Sequence, residues 1–187
     1  YGADHEDIAY SYRTGNHGDG SWYSINGNID YQRTSRKNKQ RMITFSYKIN
    51  TQPQTSNSNT GYEDIHAKEE VDDLVKRLLL KNSQSDGKTN TMEQTFQVDY
   101  TTPIGELHTV EAGAKYIFRR NTSDNKLYEA AGGSDDYLYN EDRSSDYRHL
   151  NHILAAYLGY TLKYKDFTFK PGVRYEQTVQ RVKYIVG

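Results

Sequence analysis

The sequence lacks several features that define common classes of protein. It has no cysteine, which excludes disulfide scaffolds, thiolate metal sites and cysteine nucleophiles. Its 24 Lys and Arg residues nearly balance its 25 Asp and Glu residues, so no field of one sign favours a nucleic-acid partner. No apolar run approaches the roughly 18 residues of a transmembrane helix. A transmembrane strand remains possible, because its sequence signal is far weaker.

The aromatic content is high, although the chain is polar overall. Apolar residues make up 34% of the 187 residues, and the mean hydropathy is −0.99. The chain contains 18 Tyr, against 5 Phe and 1 Trp. It is therefore short of aliphatic core residues and rich in rings that carry a hydroxyl group. The length favours a single domain over residues 1–187.

Alternation of apolar and polar residues is the main structural signal. It recurs in seven segments and is typical of half-buried strands. The sequence thus predicts an all-β fold, an antiparallel up-and-down meander of about seven strands. In the last segment the apolar parity moves toward Val182 and Tyr184, which predicts either a bulge near Thr178 or the end of the apolar zone. The segments centre on residues 8–12, 23–31, 43–49, 96–100, 110–118, 154–162 and 167–175.

The predicted connections alternate in length. Short turns are expected at "TSRKNKQ", at "TTPIGE", where Pro103 and Gly105 would form the turn, and at "KYKD". Long loops are expected over residues 51–91 and 120–147. Outer-membrane barrels show the same asymmetry, with short periplasmic turns and long extracellular loops.

One stretch, "EDIHAKEEVDDLVKRLLLKNS", breaks the strand pattern. Its apolar residues fall at helical spacing, and Thr60 with Glu63 could form a capping box. We expect one short amphipathic helix within the long loop, acting as a lid on the sheet. The apolar positions are Val71, Leu74, Val75, Leu78 and Leu79.

The apolar stripes favour a lipid environment over a soluble core. Tyr lies at or near the ends of many stripes, where its ring can meet acyl chains and its hydroxyl group the headgroups. Each stripe has about the 9 to 11 residues that a tilted strand needs to cross a bilayer. Open edges in lipid are costly, and both chain ends look like strands, so we expect a parent barrel with more strands. The alternative is a soluble antiparallel β-barrel or sandwich that binds a small ligand or carbohydrate.

Several segments resemble the outer-membrane β-barrel proteins of Bacteroidetes, which are related to TonB-dependent receptors. They are "NIDYQRT", "ITFSYKINT", "EQTFQVDYTTPIGELHTVEAGAKYIFRRNTSDN" and "HILAAYLGYTLKYKDFTFKPGVRYEQT". The resemblance implies residence in the outer membrane of a Gram-negative bacterium and a barrel of roughly twenty-two strands with a plug. It also implies a role in nutrient uptake or binding, with the chain forming part of the pore wall.

Candidate catalytic and metal-binding residues are better explained as structural. Glu111 and Glu176 are paired carboxylates of the kind that glycosidases use, but Lys115 and Arg174 are available as ion-pair partners. A hard cation such as calcium could bind an acidic loop, although the loop lacks the spacing of a calcium motif. The same reservation holds for residues 4–7 with His17. The acidic loop residues are Asp135, Asp136, Glu141, Asp142 and Asp146.

The sequence leads to a non-enzymatic hypothesis. We expect no catalytic residues, no cofactor and no metal, and the sequence identifies no ligand-binding residues. Expected partners are outer-membrane lipid, the remainder of the barrel with its plug, and an extracellular small molecule or glycan. The isolated chain should self-associate through its open edges. Candidate stacking residues for a flat ligand are Trp22, Tyr128, Tyr137 and Tyr139.

Overall fold

The computed structural model describes residues 10–69, 72–76 and 80–186, without the side chains of residues 74, 185 and 186. These residues form one antiparallel sheet of eight strands and a three-residue helix. The predicted all-β meander is therefore confirmed. The elements are β1 Tyr10–Trp22, β2 Ile25–Thr34, β3 Met42–Ala67, α1 Asp72–Leu74, β4 Lys81–Ile104, β5 His108–Ala131, β6 Leu138–Tyr164, β7 Phe167–Phe169 and β8 Gly172–Val186.

Two pairs of strands lie end to end along one neighbour. β1 and β2 both pair with β3, and the amide of Tyr23 between them donates to the Pro53 carbonyl at 3.3 Å. β7 and β8 both pair with β6 and are separated at Pro171, which has no amide hydrogen for the ladder. The sheet is thus six strand widths across, with β1 and β2 sharing one edge and β7 and β8 sharing the other. It does not close, since β1–β2 and β7–β8 form two open edges.

The connections at one end of the sheet are short. β4 and β5 are joined by residues 105–107, where Gly105 has a φ of 69°, a conformation that glycine adopts without strain. The predicted turn is confirmed, although Pro103 still lies in β4, opposite Thr109. Residues 35–41 join β2 to β3, and residues 165–166 join β6 to β7. We call this end of the sheet the short-turn end.

The two long loops predicted over residues 51–91 and 120–147 are wrong, because most of these residues are in strands. β3 and β4 remain paired without a register shift from Met42 opposite Thr101 to Thr60 opposite Ser83. β5 continues to Ala131, and β6 begins at Leu138. These stretches lack apolar alternation, but the ladder joins backbone groups and does not need it. The true connections are residues 68–80 and 132–137.

The predicted helix is also mostly wrong. Thr60 and Glu63, the proposed capping box, lie in β3 and continue its ladder. Within the described residues, helical structure covers α1 and continues as π-helix at Val75 and Lys76, while Val71, Leu78 and Leu79 lie outside the described residues. Val75 and Leu80 are nevertheless buried, at 1% and 4% exposure. The helix of the described residues is neither long nor apolar enough to cross a bilayer.

The pairing of the last strand explains why its apolar residues change from one face to the other near its end. β8 pairs with β6 without a register shift from Gly172 opposite Gly159 to Val186 opposite Ser145. There is no bulge at Thr178, so Val182 and Tyr184 lie on the opposite face from Val173 and Tyr175. Of the two explanations offered by the sequence, the end of the apolar zone is correct.

Candidate functional site

The functional surface of the chain is the sheet itself, which has two chemically different faces. Only four described apolar residues are buried: Val75, Leu80, Ala130 and Ala155. A single layer without an apolar core must obtain its stability from what covers its two faces.

One face carries a continuous apolar belt near the short-turn end. The strand register places its residues side by side, as in the row Ile29, Tyr47, Phe96, Tyr116 and Leu154. Ile29 is 71% exposed, and Phe96 and Leu154 are about half exposed. We call this side the belt face. Its belt consists of Ile29, Tyr31, Ile43, Phe45, Tyr47, Phe96, Val98, Tyr100, Val110, Ala112, Ala114, Tyr116, Phe118, Leu154, Ala156, Leu158, Tyr160, Val173, Tyr175 and Val179.

Tyr and His pairs mark both borders of the belt on β5 and β6. Tyr116 Oη and His152 Nδ1 share a hydrogen bond of 2.8 Å at one border, and Tyr160 Oη and His108 Nδ1 share one of 2.5 Å at the other. From Val110 to Phe118 the belt extends roughly 26 Å along the strand, at about 3.3 Å per residue. With a tilt of about 40° its height is roughly 20 Å, near that of the apolar band of outer-membrane barrels.

The opposite side, which we call the wall face, is polar and internally hydrogen-bonded at the same level. Asp99 accepts one hydrogen bond from Tyr157 Oη at 2.5 Å and another from Gln97 Nε2 at 2.7 Å. The Tyr157 ring lies over Gly113, where a Cβ atom would collide with the ring and with the Asp99 carboxylate. Sequence reasoning missed this unit, although a glycine within a regular alternation is a known sign of close approach.

Ion pairs add to the order of the wall face. Arg119 Nε lies 2.5 Å from a Glu93 carboxylate oxygen, and Arg174 Nη2 lies 2.7 Å from one of Glu176. Arg174 does pair with a carboxylate, but its partner Glu176 lies on the same strand, β8, whereas the sequence suggested ion pairs between neighbouring strands. Glu111 lies beside Gly159.

The two candidate catalytic carboxylates are far apart. Glu111 on β5 lies opposite Gly159 on β6, and Gly159 lies opposite Gly172 on β8. Glu176 is four residues after Gly172 on β8. At about 4.8 Å per strand and 3.3 Å per residue, their Cα atoms are roughly 16 Å apart. A glycosidase pair needs carboxyl groups about 5 to 9.5 Å apart. The register therefore places the two residues neither opposite each other nor on adjacent strands.

Beyond the belt, both faces are mostly polar. We call this part the extension: residues 10–22, 51–67, 81–92, 120–131, 138–150 and 180–186. Near its end, Glu129 is bound by Arg143 at 2.5 Å, Asn140 at 2.7 Å and Lys81 at 3.6 Å. Desolvation raises the pKa of Glu129, but the Asn140 hydrogen bond and the two cations outweigh it, so the pKa lies below its usual value of 4.5.

The connection 132–137 folds back over the extension. Asn82 joins it to β3, because its Oδ1 accepts from the Tyr62 amide at 2.8 Å and its Nδ2 donates to the Ser134 carbonyl at 3.1 Å. Tyr137 Oη donates to Asn59 Oδ1 at 3.4 Å. A polar pocket of about 410 Å³ lies here, lined in part by His17 and Asp135.

The proposed metal-binding residues do not come together. Asp146 lies in β6 opposite Asp124, whereas Asp135 and Asp136 lie in the connection 132–137. Within the described residues, no group of three or more His, Asp or Glu side chains could hold a metal ion. The other proposed acidic segment, residues 4–7, lies outside the described part of the chain.

The candidate stacking residues are also dispersed. The rings of Tyr128 and Tyr139 are 5.5 Å apart on paired strands, while Tyr137 lies in the polar pocket. Trp22 ends β1 and is 76% exposed. The structure does not assemble these rings into one ligand site.

A sheet with an exposed apolar belt on one face and a hydrogen-bonded polar wall on the other has the design of a transmembrane β-barrel wall. The sequence profile of the outer membrane protein beta-barrel family matches residues 32–185. The chain belongs to this family, and its location is the outer membrane.

A solved structure and the curated proteins complete the comparison. The chain is similar to the crystal structure of the ferric citrate transporter FecA in its unliganded form, with 14% identity and a TM-score of 0.35. The similarity covers 94% of this chain and 31% of that one. No curated protein matches the sequence.

Proposed function

We propose that the chain forms part of the wall of a larger outer-membrane barrel that binds or takes up nutrients, in the manner of TonB-dependent receptors. The observation that carries the proposal is one open sheet with an apolar belt on one face and a polar, ion-paired wall on the other. Unpaired backbone groups in lipid cost several kcal/mol each. Further strands of the parent barrel therefore pair with the β1–β2 and β7–β8 edges.

We further propose that the chain has a structural rather than a catalytic role. The carboxylates of the wall serve as acceptors and ion-pair partners: Asp99 accepts from Tyr157, and Glu176 pairs with Arg174. An extracellular small molecule or glycan would meet the extension first. The polar pocket between β1, β3 and residues 132–137 would be its first contact, because the pocket exposes amide, imidazole and carboxylate groups.

Cysteine labelling of the full-length protein tests the proposal. Single cysteines replace Ala114 and Phe96 on the belt face and, next to each, Lys115 and Gln97 on the wall face. The protein is reconstituted in vesicles and treated with a water-soluble maleimide. We expect rapid labelling at 97 and 115 and protection at 96 and 114, since water fills the lumen and lipid covers the belt.

Each other outcome has a definite meaning. Protection at 96 and 114 without labelling at 97 and 115 would show a solid interior and contradict a solute path. Labelling of all four positions would contradict the membrane wall. Uptake is then measured in cells that produce the protein, with radiolabelled maltotriose and ferric citrate as probes and cells without the protein as the control.

The soluble ligand-binding alternative has no support from the structure. It requires the apolar stripes to be buried, whereas Ile29, Tyr31 and Val173 are more than half exposed. Instead, the isolated chain should self-associate in plain buffer through its edges and belt. Light scattering that showed a monodisperse monomer would contradict this expectation.

A further inference from the structure

A group of four cations lies on the belt face directly above the belt. Continuing each stripe beyond its last apolar residue leads from Phe118 to Arg120, from Leu150 to Arg148 and from Val179 to Arg181 and Lys183. The register places Arg120 and Arg181 on either side of Leu150, and it places Arg148 directly opposite Lys183. All four side chains are exposed. We call them the basic cluster.

The basic cluster is not neutralised by the protein. Within the described residues, none of the four side chains forms an ion pair or a hydrogen bond, whereas Arg119, Arg143 and Arg174 all pair with carboxylates. The nearest acidic residues on this face are Asp124 and Asp146, one row further from the belt. Like charges directly opposite each other, such as Arg148 and Lys183, destabilise a sheet. An anion from outside the chain would remove this cost.

The position of the basic cluster indicates which kind of anion it binds. It begins one row beyond Phe118 and Val179, the last belt residues of β5 and β8, and so lies at the level where acyl chains end and headgroups begin. The four Cα atoms span two strand spacings and one side-chain row, roughly 10 Å by 7 Å. Guanidinium groups match phosphate oxygens in geometry, and basic groups at a membrane border bind anionic headgroups. The neighbouring belt offers an apolar track for acyl chains.

The orientation of the sheet indicates which leaflet of the membrane the basic cluster faces. The short turns lie at the opposite border of the belt, and barrels of this kind place short turns in the periplasm. The cluster therefore faces the outer leaflet. We propose that the basic cluster binds the phosphate groups of an outer-leaflet lipid whose acyl chains lie along Phe118, Leu154 and Val179. This lipid site does not depend on which nutrient the barrel takes.

Lipid binding by the full-length protein in detergent tests the proposal. The probes are bisphosphorylated lipid A, the same lipid without its phosphates, and inorganic phosphate. We expect the phosphorylated lipid to bind and to raise the thermal unfolding temperature, while the other two have little effect. Binding should weaken as salt is added, since the interaction is electrostatic.

A double variant measures the contribution of the cluster. Arg148→Gln with Lys183→Gln should raise the apparent Kd for the phosphorylated lipid by about tenfold or more, since each cation near a charged headgroup contributes substantially. Lys88→Gln with Lys126→Gln is the matched control. It removes the same charge from the same face, but these lysines lie directly opposite Asp124 and Asp86. The control should bind lipid as the parent protein does.

Four results would overturn the inference: equal binding of the dephosphorylated lipid, an equal effect of inorganic phosphate, unchanged affinity in the double variant, or equal loss in the control. If the double variant does not fold, Arg181→Gln alone replaces it. We expect it to weaken binding by about fivefold. Unchanged affinity in that variant, together with binding that is insensitive to salt, would equally overturn the proposal.

Discussion

The belt region and the extension belong to the same strands but are built for different surroundings. β3, β4, β5 and β6 continue from one into the other, and β3 and β4 do so without a register shift. In the belt region the two faces differ sharply, with Phe96 and Tyr116 on one side and Gln97 and Lys115 on the other. In the extension both faces are mostly polar, with scattered apolar residues such as Leu138 and Val182. The backbone hydrogen-bond ladder is the same in both regions. The regions differ in the polarity of their side chains, which matches lipid in the belt region and water in the extension.

The largest difference in unfolding free energy between the two regions is expected when a charge is placed on the belt face of each. Ala114→Arg lies near the middle of the belt and should cost about 2–4 kcal/mol of unfolding free energy, the cost of Arg at the bilayer midplane. Asn57→Arg, on the same face of the extension between Asp19 and Asp86, should change it by less than about 0.5 kcal/mol. Urea unfolding of the full-length barrel in lipid vesicles measures both. Equal costs would contradict the division into two regions.

A glycine in each region gives the next largest effect. Gly113→Ala pushes a methyl group into the Tyr157 ring and the Asp99 carboxylate, so we expect a loss of about 1–3 kcal/mol. Gly61→Ala in the extension meets no atom within 4 Å and should be neutral or slightly stabilising. Urea unfolding again provides the measurement. If Tyr157→Ala does not reduce the penalty of Gly113→Ala, the loss has another cause than this collision.

The contacts of Glu129 with Arg143, Asn140 and Lys81 show how the extension is held together without lipid. Because the pKa of Glu129 lies below 4.5, its contribution to stability is present above pH 4.5 and is lost as the pH falls through the lower, folded pKa. Glu129→Gln should cost about 1–2 kcal/mol at pH 7, as expected for hydrogen bonds to a charged group, and should flatten this part of the pH profile. Urea unfolding at a series of pH values tests this. The control is Asp142→Asn, an exposed carboxylate on β6.

The smallest effect is expected at the connection between β3 and β4. Lys76 Nζ lies 2.9 Å from Asp72, but both side chains are about 40% exposed. Exposed pairs of this kind contribute little, so Lys76→Gln should change the unfolding free energy by less than about 0.5 kcal/mol. A difference in urea midpoint beyond that range would show that α1 holds the extension in place.

The sequence predicted the belt region well, because lipid imposes a regular signal there. Alternation from Val110 to Phe118 and from Leu154 to Leu162 correctly assigned the two faces. Gly105 marked the turn, since few other residues adopt a positive φ without strain. The same alternation could have predicted the basic cluster, because Arg120 and Arg181 occupy the next positions of the apolar stripes on the same face. It was missed because the pattern was followed only as far as its last apolar residue.

The extension could not be predicted in the same way. From Thr51 to Ala67 the chain is polar on both faces, so period-two alternation disappears although the strand continues. Composition then suggested a loop, and the spacing of Val75 and its apolar neighbours suggested a longer helix than α1. The contacts of Glu129 with Asn140 and Arg143 depend on a register shift between β5 and β6, at Asn125 and Leu127, that no local motif indicates.

The arrangement of neighbours in the sheet has a consequence for how such a wall can grow. Most strands pair with the strands next to them in sequence, while β1 pairs with β3 and β8 pairs with β6, so every contact joins segments that are close along the chain. A barrel built in this way can gain or lose a whole hairpin, and only the two seams beside the change must re-form. Gene duplication of one hairpin would therefore widen the barrel in discrete steps while the rest of the ladder kept its register.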